Sequence, residues 1–399
     1  MGLTLVALLL AAPGPDAVPA ARAGTPRWLL GIGGRGLDIE PRAYLGLMIA
    51  AFLCYLVVVA LADQIEPRLL WTAIIALVAL FALAPPLLSQ DVFSYIASGR
   101  LAARHGLNPY VAVPARQPSD AVFPFVGWRH TPDSYGALFT FLVYPLGLLR
   151  VGVALWTLKL VSALSVLGLT GLTAHVAAAR RVDPRRAAAF VALNPLVLVH
   201  VVGGAHNDSL LILALMGSVA LLVTGRQVTG AVALAVAVGL KASGLLVAPF
   251  AVAGSRRRVP LAAALVAALA VVGWVGFAAF GSHVWASERL ASRHESLTNH
   301  YSVPSTIARL GQFSVGRVRL AALATYAVGL VGLLWWTRRG GDWVRATGWA
   351  TFGLLVASSW LMPWYVIWAL PLAAVARDRR LTGSVLVLCA FQLLSRIRL

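Results

Sequence analysis

The chain has 399 residues, of which 60% are hydrophobic and 12% charged, with a mean hydropathy of +0.83. So much apolar surface exceeds what a soluble core buries, which excludes a soluble globular protein. The long apolar runs lack the alternation of barrel strands. The predicted fold class is therefore an all-α polytopic membrane protein, with a bundle of about 11–13 transmembrane helices.

The net charge of +19 would suggest a nucleic-acid partner in a soluble protein. No basic run here is interleaved with aromatic residues, so no nucleic-acid binding is predicted. Short basic loops between apolar runs are instead typical of the cytoplasmic side of a membrane protein. These loops are residues 180–186, 255–258, 338–339 and 377–380.

Placing the basic loops in the cytoplasm fixes most of the spans. The predicted spans are residues 3–12, 43–62, 70–88, 152–178, 187–202, 210–224, 260–280, 319–336, 346–361, 366–376 and 381–395. Residues 228–240 and 243–253 are each short for a crossing and are predicted to form a hairpin. Residues 137–149 are also too short, and we expect a juxtamembrane or re-entrant helix there.

This threading predicts a single transmembrane domain over residues 1–399. Two long loops, 89–150 and 281–318, then lie outside and form the active-site face. A transporter would keep its polar groups near the midplane between internal repeats, and the two halves of the sequence show no self-similarity.

The first long outer loop opens with a carboxylate, Asp91, just beyond the apolar run 70–88. Charge near hydrocarbon is costly, but a carboxylate at the rim can stay ionised while facing a substrate held in lipid. We therefore predict that Asp91 is catalytic. The alternative is that it only caps the helix that follows. That helix, residues 92–104, is amphipathic and is predicted to lie on the membrane surface.

Basic side chains are candidates for binding a phosphate. Arg100 and Arg104 on the amphipathic helix either bind a phosphate or contact headgroups, and the sequence leaves both open. The two lysines of the chain, Lys159 and Lys241, both lie within apolar segments. An ammonium there needs an anionic partner, for which a lipid phosphate is the candidate, or else it snorkels to the interface.

Further polar and aromatic residues fall on the same predicted outer face. His206, Asn207 and Asp208 open the span 210–224, and three consecutive polar side chains exceed what a helix cap requires. Imidazole, amide and carboxylate groups hold hydroxyl-rich substrates, so these three are predicted to bind substrate. His130, Trp364 and Tyr365 are also predicted to bind substrate, with membership of an ordinary interfacial aromatic belt as the alternative for the aromatic residues.

The motifs of common soluble chemistries are missing from the sequence. There is no Walker loop, no HExxH, no dinucleotide fingerprint and no serine nucleophile elbow. No dense His/Asp/Glu cluster has metal-ligand spacing, so neither a metal nor another cofactor is predicted.

Several short motifs together resemble GT-C glycosyltransferases, and among them the actinobacterial polyprenol-phosphate-mannose-dependent α-1,6-mannosyltransferases. The motifs are residues 91–95, 108–110, 134–139, 194–198, 203–208 and 363–365. They spread over about residues 43–376, and the glycine-rich stretch 203–208 is the most specific. The chain departs from the family at residues 134–137, which read Ser-Tyr-Gly-Ala where Pro-Tyr-Gly-Pro is usual, and both ends look short.

The resemblance implies an inverting transfer of mannose from polyprenyl-phosphate-mannose to a mannan or glycolipid acceptor, at the outer face of the plasma membrane. It implies that Asp91 is the general base and that Lys241, with an arginine such as Arg100, neutralises the departing lipid phosphate. Tyr95 and Tyr135 lie in the matching motifs and are taken as substrate-binding. The alternatives are transfer of another polyprenyl-linked sugar, such as arabinofuranose or glucose, and a lipid-linked-sugar flippase.

Overall fold

The fold is described by a computed structural model for residues 1–11, 40–285 and 299–395. Within these ranges the chain is helical and forms no β-strand. The helices are α1 Gly2–Ala11, α2 Pro41–Ala60, α3 Pro67–Ala82, α4 Asp91–Ala103, α5 Ala137–Val143, α6 Val151–Ala179, α7 Pro184–Ala192, α8 Asp208–Val223, α9 Gln227–Leu240, α10 Ala248–Gly254, α11 Arg258–Phe280, α12 Val303–Leu310, α13 Val315–Arg338, α14 Trp343–Ala357, α15 Leu370–Val375 and α16 Arg379–Leu394.

Four of the described helices are long and apolar enough to cross a membrane: Arg42–Ala60, Val151–Ala179, Arg258–Trp285 and Val315–Arg338. Shorter apolar helices, among them α3, α8 and α9, pack beside them. Together these helices confirm the predicted all-α polytopic membrane fold. The number of crossings, about 11–13, stays a prediction.

Two of the predicted spans are interrupted in the structure. The segment 187–202 divides into α7 and a π-helical turn, Val197–Val202. Pro195 causes the break, because it lacks an N–H group and disfavours a helical conformation at the residue before it. The segment 366–376 likewise divides into a 3-10 turn, Pro363–Trp368, and α15.

The two interrupted segments contact each other inside the bundle. The ring of His206, just after the π-helical turn, stacks on Trp364 of the 3-10 turn, with 3.8 Å between the ring centroids. Irregular backbone at this depth is tolerated where protein surrounds it, and the π-helical turn is buried at every residue. π-Helical turns are frequent at functional sites.

The loop between α3 and α6 corrects one prediction. Helix α4 was expected to lie on the membrane surface with one polar face, but it is buried on both faces, and its buried residues include the polar Ser98 and Arg100 as well as Phe93 and Leu101. Its close neighbour is the 3-10 turn Pro145–Leu148. The amphipathic pattern therefore reflects packing inside the loop.

Two glycines allow this close packing. A Cβ atom added at Gly99 of α4 would lie 2.2 Å from the carbonyl oxygen of Val143, and one added at Gly147 would lie 2.3 Å from that of Gly99. Any larger side chain would separate the two backbones. The α4 helix, which begins at Asp91, is thereby fixed against the rest of the loop.

Residues 137–149 form α5 and the Pro145–Leu148 turn, each too short to cross a bilayer. This agrees with the prediction that the segment is a juxtamembrane or re-entrant helix and not a full crossing. At the start of α5, the N–H group of Gly136 donates to the carbonyl of Leu240 at 3.2 Å. The segment in which the chain departs from the family motif therefore packs directly against the end of α9.

Candidate active site

Asp91 is the first residue of α4. The hydroxyl of Ser89 accepts a hydrogen bond from the Asp91 N–H group at 3.2 Å, so Ser89 and not Asp91 supplies the capping oxygen. Asp91 Oδ1 accepts from Trp128 Nε1 at 3.0 Å, and Oδ2 lies 3.6 Å from His206 Nδ1. The side chain is 16% exposed. The capping alternative does not describe Asp91.

The surroundings of Asp91 tune its acidity. Burial raises the pKa of Asp91 to about 6, and the nearby Asp208 carboxylate also raises it. The hydrogen bond from Trp128 and the ammonium of Lys241 oppose this increase. A carboxylate with a pKa slightly below neutrality is ionised at pH 7 yet basic enough to accept a proton during a reaction.

A second carboxyl, Asp133, has a raised pKa like that of Asp91 but a different role. Burial raises the pKa of Asp133 to about 6 as well. However, Asp133 Oδ1 accepts from the Tyr135 N–H group at 3.0 Å, and Oδ2 accepts from the Thr140 hydroxyl at 3.1 Å. Both oxygens are thus used to order the loop, which makes Asp133 a structural residue.

His206 is fully buried beside Asp91. Neither of its ring nitrogens has a hydrogen-bond partner among the described residues. Burial lowers the pKa of the His206 imidazole well below its usual range, and the charge of Lys241 adds to this effect. The ring is therefore neutral, with one N–H donor and one acceptor nitrogen available next to the Asp91 carboxylate.

The turn that carries His206 is held by Lys159. This lysine is fully buried and donates a hydrogen bond to the carbonyl oxygen of Gly203 at 2.7 Å. The N–H group of Leu87 donates to the same oxygen at 3.2 Å. The sequence predicted that Lys159 binds a lipid phosphate or snorkels, and the structure corrects this. Its ammonium orders the glycine-rich turn, in which Ala205 takes a left-handed conformation with φ of 55°.

Lys241 and Asp208 form a buried ion pair close to these residues. Asp208 Oδ1 accepts hydrogen bonds from Lys241 Nζ and from Trp368 Nε1, both at 2.7 Å. Asp208 is only 1% exposed, and its Oδ2 has no partner among the described residues. The Lys241 ammonium also lies 5.0 Å from the ring centroid of Tyr365 and 5.1 Å from that of Trp368.

Tyr95 connects α4 to the same cluster. Its hydroxyl donates a long hydrogen bond of 3.5 Å to Asn207 Oδ1. Its ring packs edge-on against Tyr135, with 5.0 Å between centroids. Most of the predicted site residues therefore converge on one region: Asp91, Tyr95, Tyr135, His206, Asn207, Asp208, Lys241, Trp364 and Tyr365.

Three predicted residues lie elsewhere. Arg100 forms a 2.6 Å ion pair with Asp120, and Arg104 donates to the carbonyl oxygens of Gly147 and Leu148 at 2.8 and 2.7 Å. Both guanidiniums thus tie α4 to the rest of its loop. His130 is exposed in this loop, two residues beyond Trp128.

Two tryptophans contribute contacts that the sequence analysis did not assign. Trp128 donates to Asp91, and Trp368 donates to Asp208. Trp368 follows Trp364 by four residues, a spacing that in an α-helix places both side chains on one face. That spacing was a usable signal. The hydrogen bond from Trp128 to Asp91 joins residues 37 positions apart, and no sequence pattern indicated it.

These observations define an all-α polytopic membrane protein in which a partly buried carboxylate, a neutral imidazole and an ion pair share one site. The family described as "Alpha-(1->6)-mannopyranosyltransferase, N-terminal domain" matches residues 3–257, and "MptB C-terminal domain" matches residues 300–396. The chain belongs to this alpha-(1->6)-mannopyranosyltransferase family, which confirms the resemblance drawn from the motifs.

Curated relatives agree with the family assignment. The chain is 31% identical to Alpha-(1->6)-mannopyranosyltransferase A of Mycobacterium tuberculosis, over 76% of this chain and 64% of the relative. It is 26% identical to Alpha-(1->6)-mannopyranosyltransferase A of Corynebacterium glutamicum, over 76% of this chain and 70% of the relative. It is 25% identical to a Mycolicibacterium smegmatis protein named "Probable alpha-(1->6)-mannopyranosyltransferase", over 77% and 65%. The chain thus spans about two thirds of the length of these relatives. No solved structure matches it significantly.

Proposed function

We propose that this protein is an inverting glycosyltransferase that moves mannose from polyprenyl-phosphate-mannose to a hydroxyl of a mannan or lipoglycan, forming an α-1,6 linkage. The observation that carries the proposal is the Asp91 carboxylate, which Trp128 holds at 3.0 Å beside the buried His206. Family membership supports the sugar and the linkage.

The reaction follows from the stereochemistry of the donor. Forming an α linkage from a β-mannosyl phosphate requires one displacement with inversion. The acceptor oxygen forms a bond to C1 of mannose while the bond from C1 to the phosphate oxygen breaks, and the polyprenyl phosphate leaves with that electron pair. Phosphate is a good leaving group, so one general base suffices. Asp91 takes the proton of the acceptor hydroxyl.

Lys241 is the proposed ligand of the lipid phosphate. An ammonium carries three N–H donors, and Asp208 occupies one of them. The side chain is 19% exposed, so Lys241 is not wholly enclosed by the protein. A fixed cation of this kind stabilises the negative charge that develops on the leaving group. Asp208 and Trp368 hold the cation in place before the donor binds.

Neutral polar groups and rings around Asp91 are proposed to bind the sugar. His206 offers a donor and an acceptor nitrogen without a described partner, and Asn207 offers an amide. Trp364 and Tyr365 supply apolar ring surface beside them. Hydroxyl-rich ligands need such a mixture of amide, imidazole and aromatic contacts.

We place this site at the outer face of the plasma membrane, formed mainly by the loop 89–150. The loop 281–318 is proposed to complete it, although residues 286–298 of that loop lie outside the described residues. The short basic loops at the other ends of the helices support this orientation.

Transfer of labelled sugar in membranes tests the proposal. Membranes containing the protein are supplied with polyprenyl-phosphate-mannose, -arabinofuranose or -glucose and a mannan acceptor. We expect mannose transfer that Asp91→Asn abolishes and that Asp63→Asn, a carboxylate paired with Arg186, leaves intact. Transfer of arabinofuranose or glucose instead of mannose overturns the choice of sugar. Full activity of Asp91→Asn overturns the choice of base.

A further inference from the structure

Two connections between helices enclose a basic pocket far from the candidate active site. Residues 255–257 join α10 to α11, and residues 339–342 join α13 to α14. Between them lies a pocket of about 680 Å³. It sits at the beginning of α11, whereas Phe280 at the other end of α11 packs against Tyr110 of the Asp91 loop. Because α11 has 23 residues, the two ends are about 34 Å apart.

The pocket concentrates positive charge. Its lining includes Arg256, Arg257, Arg258 and Arg338, and no acidic residue. Arg256, Arg257 and Arg338 form no ion pair with any other residue that the structure describes. Four exposed guanidiniums around one cavity create a positive potential that attracts an anion.

The nearest acidic residue after Arg338 is used elsewhere. Asp342 pairs with Arg180 and accepts hydrogen bonds from the N–H groups of Val344 and Arg345, so it caps α14. The guanidinium of Arg258 reaches the carbonyl oxygen of Arg338 at 3.4 Å and joins the two connections. The protein therefore supplies no counter-ion to the pocket from its described residues.

Exposed apolar surface continues from the pocket along two helices. Val259 next to the arginines is 78% exposed, and Trp335 on the last turn of α13 is 56% exposed. In the most apolar stretch of α13, no residue is buried inside the protein. A small soluble anion would contact the arginines alone. A ligand with an anionic head and apolar chains matches both surfaces.

We infer that this pocket binds the headgroup of an anionic phospholipid. The phosphate lies among Arg256, Arg257 and Arg338, where guanidiniums bind phosphate oxygens in pairs. The acyl chains run along the exposed faces of α11 and α13. Basic pockets between transmembrane helices at one end of a bundle are known to suit such headgroups. The inference is independent of the proposed sugar transfer.

Thermal unfolding of the full chain in lipid nanodiscs tests the inference. We expect discs that contain phosphatidylglycerol to raise the unfolding temperature relative to phosphatidylcholine alone. Titrating the lipid into detergent-solubilised protein then gives an apparent affinity. Replacing Arg256 and Arg257 by Gln together should weaken it about 25-fold, since each arginine near a membrane surface contributes about fivefold. Arg338→Gln should weaken it about fivefold and keeps the backbone carbonyl that Arg258 contacts.

The control is Arg68→Gln, an exposed arginine at the start of α3 outside this pocket, which should leave the affinity unchanged. Every variant should unfold at the wild-type temperature in phosphatidylcholine. Equal unfolding temperatures in both lipids overturn the inference, as does an unchanged affinity of the Arg338→Gln variant. The unfolding temperature is also measured with inorganic phosphate at millimolar concentration. A shift as large as that given by the lipid would assign the pocket to a soluble anion instead.

Discussion

Lys241 donates a 2.7 Å hydrogen bond to Asp208, and this pair links the end of α9 to the start of α8 beside the candidate base. The sequence indicated that the lysine needs an anionic partner but suggested a lipid phosphate. The structure supplies a carboxylate. The ammonium is thus held in one position by a residue of the protein itself.

Lys241→Ala should impair both folding and donor use. The substitution leaves the Asp208 carboxylate, which is 1% exposed, with only Trp368 as a donor. Breaking a buried pair in this way costs about 3–5 kcal/mol, a value reduced here because the lysine side chain is 19% exposed. Thermal unfolding measures the first effect, and donor saturation at fixed acceptor measures the second.

The double variant Lys241→Ala with Asp208→Asn separates the two roles. Removing the unpaired carboxylate should restore much of the stability, whereas donor saturation should stay weak because the phosphate ligand is still missing. Lys241→Arg should restore part of the activity, since a guanidinium keeps the charge but is larger and planar. Unchanged donor saturation in a folded Lys241→Ala protein would remove Lys241 from the donor site.

Asp91→Asn should abolish transfer without unfolding the protein. Loss of a general base costs about 10²–10⁴-fold in rate. The pKa of Asp91 is raised to about 6 in the folded state, so the stability of the fold falls as the pH rises from about 4 to 6 and stays at the lower level above that pH. The neutral variant escapes this cost. At pH 7 it should be more stable than the wild type by about 1–3 kcal/mol, and the difference should vanish below about pH 4.

The composition and the apolar runs sufficed to predict the helical membrane fold, because lipid imposes the same requirement on every span. The same features gave wrong predictions for segments that are surrounded by protein instead of lipid. The π-helical turn Val197–Val202 sits within an apolar run that reads as one helix, and α4 reads as a surface helix although protein covers both of its faces. Hydropathy does not distinguish protein neighbours from lipid neighbours.

The sequence predicted the polar residues of the candidate site but not the partners that they contact. Asp91, His206 and Asp208 are polar residues next to apolar runs, and local sequence exposes that contrast. The identity of each partner is not local. Asp208 meets Lys241 across 33 positions and Trp368 across 160, so only the folded chain shows that the lysine has an internal counter-ion.

The orientation of the protein in the membrane gives a further prediction. Reporters fused after Arg258 or Arg380 should be cytoplasmic, and one fused after Pro118 should be external. The loop 180–186 is the decisive position. Because α5 has seven residues and does not cross a bilayer, we expect a cytoplasmic reporter there. An external readout at this loop would require another crossing and would move the proposed site away from the outer face.

The pH dependence of transfer should report the environment of Asp91. A general base must be ionised, so the rate should rise with pH through about 6 and level off above it. Trp128→Phe removes the indole donor at 3.0 Å, which favours the ionised form of the carboxylate. Loss of this hydrogen bond should raise the pKa of Asp91 by about one to two units, since a hydrogen bond to a charged group contributes about 1.5–3 kcal/mol and one unit corresponds to about 1.4 kcal/mol.

The rising limb of the rate profile should therefore move to higher pH in Trp128→Phe, with a larger loss of activity at pH 6 than at pH 8. Trp360→Phe is the matched control. Its ring packs against Trp128 with 6.3 Å between centroids, and the substitution preserves the hydrogen bond to Asp91. A role of Trp128 in packing alone would lower the rate equally at all pH values and in both variants. A limb that stays at its original pH in Trp128→Phe would show that another group governs the profile.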